Sequence, residues 1–111
     1  MKILLIYPYF LDKRIHEYDI SVPPIGIYYV GALLKENGYD VHIYNWHDAH
    51  HTPNIFSDVI NRERPDIIGF SILHANRWGG TDIAKIAKNL NPDIKIVFGG
   101  IGATFLWDHL L

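Results

Sequence analysis

Cysteine is absent from the 111 residues. Its absence excludes disulfides, thiolate metal sites and iron–sulfur ligation within this chain. Long hydrophobic runs are missing too, and nothing approaches the length of a membrane span. The opening Met1-Lys2-Ile3-Leu4-Leu5-Ile6 is too short for a signal segment, and Tyr7-Pro8 interrupts it before any small-residue cleavage site. Neither sign of charge dominates. Ten Lys+Arg stand against 12 Asp+Glu, giving −2 with His neutral, and the charges are interspersed. That pattern leaves no nucleic-acid footprint, and neither a nucleic acid nor a membrane is expected as a partner. A cytoplasmic location follows by default. Internal repeats, low-complexity tracts and linkers are also lacking, so residues 1–111 read as one domain.

What is present is a core. Hydrophobic residues make up 49% of the chain, too many for a disordered segment. Residues 66–74, Asp-Ile-Ile-Gly-Phe-Ser-Ile-Leu-His after Pro65, form the apolar run around which the rest is arranged. A run of this length and Ile content fits a strand buried on both faces of a parallel sheet. Lys2–Tyr7 is a similar strand, closed by Pro8. Residues 9–22 form a long polar-aromatic loop without a period, and a loop of this length in a small domain is usually functional or mobile. Pro23-Pro24 opens a helix with an apolar stripe of Ile27, Val30, Leu33 and Leu34, stopped by Asn37-Gly38. Residues 40–46 alternate as a less buried strand near a sheet edge. Thr52-Pro53 starts a second helix with Ile55, Phe56, Val59 and Ile60 inward. Thr81 caps a third helix with Ile83, Ile86, Ala87 and Leu90 inward, and Asn91-Pro92 closes it. Residues 94–98 form a fourth strand, Gly99-Gly100-Ile101-Gly102 a tight turn, and residues 103–111 begin a fourth helix.

Alternating elements of this size imply right-handed crossovers, helices on both faces and a parallel sheet. The expected fold is α/β: a flavodoxin-like (Rossmann-like) three-layer sandwich with strand order 2-1-3-4. The fifth strand of that fold is not in this chain, so a domain truncated at its C-terminal end is expected.

In open α/β sheets ligands bind outside the carboxyl ends of the strands. Here four polar or glycine-rich segments reach that edge: residues 8–26, 45–52, 73–81 and 99–104. They could floor a broad ligand site or be four ordinary βα loops. Ser71, at the mouth of the central strand, could bond a ligand or its own backbone. Gly99-Gly100 could admit a ligand close to the backbone or simply make a tight turn. Gly100-Ile101-Gly102 is an incomplete dinucleotide fingerprint, with Phe105 where a third glycine belongs. His47, His50 and His51 cluster beside Asp48 without a recognised ligand spacing, which favours a solvated loop over a metal site. His74 is better placed, at the ligand-facing end of the central strand. A phosphoryl-accepting receiver would need acidic residues where Tyr7-Pro8 stands, and a flavodoxin a small-residue phosphate loop where Phe10-Leu11-Asp12-Lys13-Arg14 stands.

In order and spacing, several motifs resemble a known family. They are Lys2-Ile3-Leu4-Leu5-Ile6-Tyr7-Pro8, Pro23-Pro24-Ile25-Gly26, Asn37-Gly38-Tyr39-Asp40-Val41, Pro65-Asp66-Ile67-Ile68-Gly69-Phe70-Ser71, and the run from Asn91-Pro92-Asp93 to Gly99-Gly100 with Ala103-Thr104. The family is the N-terminal cobalamin-binding domain of corrinoid-dependent radical SAM proteins, the methyltransferase and anaerobic magnesium-protoporphyrin monomethyl ester cyclase type. The resemblance implies a cobalamin (B12) cofactor whose nucleotide tail is lined by Ser71-Ile72-Leu73 and Gly99-Gly100. The implied cofactor-binding residues are Pro8, Pro24, Gly26, Ser71, Leu73, His74, Asn76, Gly99, Gly100 and Ala103. No catalytic residue and no metal ligand is expected. Cobalt-ligating domains carry Asp-x-His-x-x-Gly after the first strand. Here that loop holds Asp12-Lys13-Arg14-Ile15-His16, and Asp48-Ala49-His50 follows the second strand without the glycine.

The reading is of a corrinoid-binding accessory module. S-adenosylmethionine and an iron–sulfur cluster would belong to a separate radical SAM domain of the parent protein. The rival is a cofactor-free flavodoxin-like module for interaction or substrate docking. Bulk at Ser71 or Gly100 is expected to block cofactor uptake while leaving the fold intact. Self-association of the chain is expected from its open fourth strand.

Overall fold

The structure, a computed structural model, describes residues 1–8, 25–46, 54–72 and 77–100. Its elements are β1 (Lys2–Tyr7), α1 (Ile25–Glu36), β2 (Asp40–Asn45), α2 (Asn54–Glu63), β3 (Ile67–Ser71), α3 (Arg77–Leu90) and β4 (Lys95–Gly99). The strands form one parallel sheet in the order β2-β1-β3-β4. This is the expected flavodoxin-like order. The expected helix over residues 103–111 lies outside the described residues.

Alternation along each strand sorts the core into two layers. Leu4, Ile6, Ile68, Phe70 and Ile72 point to one face and meet Phe56, Val59 and Ile60 of α2 and Ile83 and Ala87 of α3. Trp46 packs at the rim of this layer between Tyr44 and Phe56, in tilted ring pairs at separations of 5.1 and 5.0 Å. On the other face Ile3, Leu5 and Val41 meet Ile27 of α1, with Leu34 and Ile43 packed alongside. This second cover is narrower, because α1 lies over β1 and β2.

β3 is therefore not buried equally on both faces, as its apolar run suggested. Ile68 and Phe70 are buried, whereas Ile67, Gly69 and Ser71 are only half-buried. The α1 stripe also differs. A 3.6-residue period lines up Ile27, Gly31 and Leu34, and Val30 and Leu33 are 51% and 59% exposed. Ile55 and Leu90 likewise sit at the exposed rims of α2 and α3. Thr81 is not a cap: α3 begins at Arg77, one turn earlier. The Thr81 hydroxyl donates to the Trp78 carbonyl at 3.0 Å. The Gly79-Gly80 pair reads as loop by propensity, but Gly80 packs against the Ile72 side chain, where a Cβ would lie 2.5 Å from Cδ1. Tertiary packing overrides propensity at that point.

The end of α1 matches its sequence signal. Tyr39 N–H donates to the Leu34 carbonyl and Gly38 N–H to that of Lys35, a Schellman motif with Gly38 at φ 88°. At the N-terminal edge of the sheet, Asp66 ties three strands. Its carboxylate accepts from Lys2 N–H at 2.8 Å, its N–H donates to the Lys2 carbonyl, and its carbonyl accepts from Lys95 N–H. The Lys2 ammonium donates to Glu63 at 3.2 Å, and His42 stands 2.9 Å from Asp40. The charged network thus lies at the end opposite to the strands' carboxyl ends.

Candidate functional site

Register and alternation place a row of small residues on the α1 side of the sheet. Leu5 pairs with Gly69 and Gly69 with Val97, and one step further Ser71 pairs with Gly99. At Gly69, Ser71 and Gly99, where side chains would otherwise rise, β3 and β4 offer hydrogens and one hydroxymethyl group. The result is a trough between α1 and the outer strand, opening at the carboxyl ends of β3 and β4. Its volume is about 310 Å³. Gly69, Ser71, Gly99 and Gly100 form the floor, and Gly26, Ile27 and Val30 of α1 form one wall. Val97, 54% exposed, stands on the open side. No lining residue carries a charge.

The glycines hold this space open in different ways. A Cβ on Gly99 would have the Phe70 carbonyl as its nearest neighbour at 3.8 Å, so the position itself tolerates a side chain, which would project into the trough. A Cβ on Gly69 would press on the Leu5 methyl at 3.0 Å. Gly100 is different: its φ is 92°, and a Cβ would lie 2.9 Å from the Ile72 carbonyl oxygen. Ile72 is itself held, its N–H donating to the Gly99 carbonyl at 2.8 Å. Bulk at Gly100 is therefore felt by the fold as well as by a ligand, which corrects the expectation that substitution there would leave the fold intact.

Tyr7 ends β1 at this edge, with its backbone carbonyl accepting from Trp46 N–H at 2.9 Å. Burial pushes its phenol above the ordinary range, so it stays neutral at physiological pH.

Of the residues singled out in the sequence, Gly26, Ser71, Gly99 and Gly100 come together in the trough. Pro8 is fully buried on the opposite face, beside Gly80 of α3. Pro24, Leu73, His74, Asn76 and Ala103 lie outside the described residues, as do His16, His47, His50 and His51. Among the described residues no cluster of His, Cys, Asp or Glu is arranged to hold a metal, and no helix is long and apolar enough to cross a membrane. The lining residues missed are Leu5, Ile27, Val30, Gly69, Phe70 and Val97. For Gly69 a signal existed, since a glycine inside a strand often marks a close approach by another group.

Known proteins with this pattern point one way. The family described as B12 binding domain matches residues 14–111. Over 105 residues the chain is 30% identical to an uncharacterized methyltransferase of Pyrococcus horikoshii, a match covering 95% of this chain and 23% of that protein. Over 115 residues it is 30% identical to the anaerobic magnesium-protoporphyrin IX monomethyl ester cyclase of Rubrivivax gelatinosus, covering 100% and 20%. The protein of the same name from Cereibacter sphaeroides is 25% identical over 112 residues, covering 100% and 18%. The chain thus spans about a fifth of the length of these curated relatives. No solved structure matches it. With the family match extending across nearly the whole sequence, the chain belongs to the B12 binding domain family.

Proposed function

We propose that this chain holds cobalamin over the carboxyl edge of its sheet, with the nucleotide tail in the trough beside α1, as the corrinoid module of a longer radical SAM enzyme. The observation that carries the reading is the row Gly69, Ser71 and Gly99, which keeps side chains out of one uncharged trough at the strand ends. Size sets how the cofactor fits. Ligand pockets run from roughly 300 to 1,000 Å³, and this one, at about 310 Å³, is at the lower end. A trough of that size would admit a planar base and part of its sugar, held by Gly69, Ser71 and Gly99, and the rest of the cofactor would lie outside it.

Each residue then has a definable task. Gly69 and Gly99 leave the space a base would take. Ile27 and Val30 cover one side of it with apolar surface and exclude water. Ser71 sets a hydroxyl where the polar edge of the tail enters. Bound cobalamin supplies cobalt-centred methyl-transfer or one-electron chemistry, and the protein residues described here bind and orient. The relatives are named as a methyltransferase and as cyclases. We assign the cysteine-ligated cluster and S-adenosylmethionine site of such chemistry to polypeptide outside this cysteine-free stretch. A cytoplasmic setting suits both that cluster and the lack of disulfides.

The test is reconstitution with hydroxocobalamin followed by gel filtration. The red colour should travel with the wild-type chain and be lost from Ser71→Leu, while the circular dichroism and melting temperature of that variant stay near wild type. Retention of full uptake by Ser71→Leu removes the trough from the cofactor site. Failure of the wild-type chain to hold colour at all defeats the reading.

A further inference from the structure

We infer that the outward face of α1 is an interdomain contact, covered by the remainder of a longer polypeptide rather than by cofactor or by a second copy. The inference rests on the reading of this chain as one module of a larger protein. It starts from a contrast among the three described helices. α2 turns Asp58, Asn61 and Arg62 to water, and α3 turns Asp82, Lys85 and Lys88. Those are the polar faces expected of helices that pack on one side only. α1 has no such face. Its first charged residue is Lys35, in the last turn. Its inward line, Ile27, Gly31 and Leu34, already meets the sheet. Yet Tyr29 is 79% exposed, and Leu33, one turn further along the same outward side, is 59% exposed.

A helix that is apolar all round is one that is covered all round. Tyrosine is also the residue type enriched at contacts between folded surfaces, where its ring packs and its hydroxyl keeps a polar partner. The outward residues do not form a smooth cylinder. Tyr28, Tyr29, Ala32, Leu33 and Glu36 enclose a shallow cleft of about 440 Å³. Ala32, the smallest of the five, leaves room there for an inserted side chain. The matching surface is apolar, with hydrogen-bond acceptors for the two phenols and a cation opposite Glu36.

The occupant follows from what lies beyond this domain. The relatives carry about four fifths of their length outside the matched region, enough to supply such a surface. The cofactor is a poor candidate, because the trough lies along the Gly26 and Val30 side of the helix, away from the Tyr29–Ala32 side.

Site-resolved thiol labelling tests this: the 111-residue stretch has no cysteine of its own, and peptide mapping separates the introduced positions from the cluster cysteines assigned to the rest of the polypeptide. Tyr29→Cys, Leu33→Cys and, as a control on α3, Lys85→Cys are made both in the 111-residue chain and in the full-length protein. Maleimide modification is followed at each site by mass spectrometry. At positions 29 and 33 the full-length protein should react at least about tenfold more slowly than the chain alone, a protection factor equivalent to roughly 1.4 kcal/mol. Position 85 should react equally in both. Equal rates at positions 29 and 33 overturn the inference, as does a reading frame that closes at Leu111. Protection within the 111-residue chain that grows with its concentration assigns the face to a second copy, and also overturns it. Cobalamin uptake is measured alongside in Leu33→Cys and should match wild type. A wild-type chain that takes up no cobalamin counts against the cofactor reading and leaves the labelling comparison intact.

Discussion

Two neighbouring glycines should respond oppositely to the same kind of substitution. At Gly100 an alanine meets two penalties. The first is conformational: a non-glycine residue in the left-handed region costs roughly 1–2 kcal/mol, and φ 92° lies well beyond the centre of that region. The second is steric. The new Cβ would stand 2.9 Å from the Ile72 carbonyl oxygen, and that backbone is fixed by its 2.8 Å bond to Gly99. Overpacking of this kind costs about 1–3 kcal/mol, while the stiffer unfolded chain returns roughly 0.4–1 kcal/mol. The net loss is about 1–4.6 kcal/mol. For a domain of this size that lowers the melting temperature by on the order of 5–20 °C. At Gly99 the Cβ of a valine has the Phe70 carbonyl oxygen as its nearest neighbour, at 3.8 Å, and the residue gains strand propensity worth up to about 1 kcal/mol. Gly99→Val should therefore fold as well as wild type and fail to take up cobalamin. Urea denaturation followed by circular dichroism, with uptake by gel filtration, reads both arms. If Gly100→Ala is within about 0.5 kcal/mol of wild type, an ordinary surface effect, then the turn is not the strained point described here. If Gly99→Val retains uptake, the trough floor does not touch the cofactor.

Other perturbations address separate parts of the molecule. His16→Ala, His50→Ala and His74→Ala should each leave the visible spectrum of the bound corrinoid nearly unchanged, and nitrogen hyperfine coupling from a protein imidazole in the Co(II) state would contradict this. The Lys2 ammonium, as its main hydrogen-bond donor, holds the Glu63 carboxyl below the ordinary glutamate range. Because the folded pKa is depressed, its contribution to stability is present above the usual value of about 4.3 and is lost as pH falls through the folded value. Glu63→Gln should thus be less stable than wild type at neutral pH and converge with it in acid; parallel curves at all pH values would rule the ion pair out. Arg64 has φ 48° just after α2, so Arg64→Gly should leave stability unchanged or raise it by up to about 1 kcal/mol, and a clear loss in thermal melts would show that its side chain holds something. Among the described residues β4 pairs only with β3, and Lys95 is its sole charge; light scattering at micromolar concentration should show self-association that Val97→Lys reduces, and a clean wild-type monomer would refute it.

The fold was legible because its signals are local and repeated. Short apolar runs at residues 2–7 and 67–72, a Schellman glycine at Gly38 and prolines at element boundaries each dictate one element, and parallel crossovers then leave few strand orders. Ser71 and Gly99 were legible as site candidates because they end strands. What stayed hidden was which face of the sheet matters. In the sequence, Ile67-Ile68-Gly69-Phe70 is one apolar run, and Gly69 signals a close approach without telling what approaches or on which face. Only the register sets Gly69 between Leu5 and Val97 and in line with the α1 wall, and register depends on partners far along the chain. α1 misled for a related reason. Val30 and Leu33 fit an apolar stripe, but the helix packs along Ile27, Gly31 and Leu34, a line that includes a glycine and so carries little hydrophobic signal. Both failures come from glycines whose lack of a side chain is what positions something else. At Gly69 and Gly99 that is an open trough, and at Gly100 it is the backbone of Ile72 passing within contact distance. The same residue type therefore leaves a trough open at two positions and makes way for the chain's own packing at the third, and only the neighbouring atoms tell these roles apart.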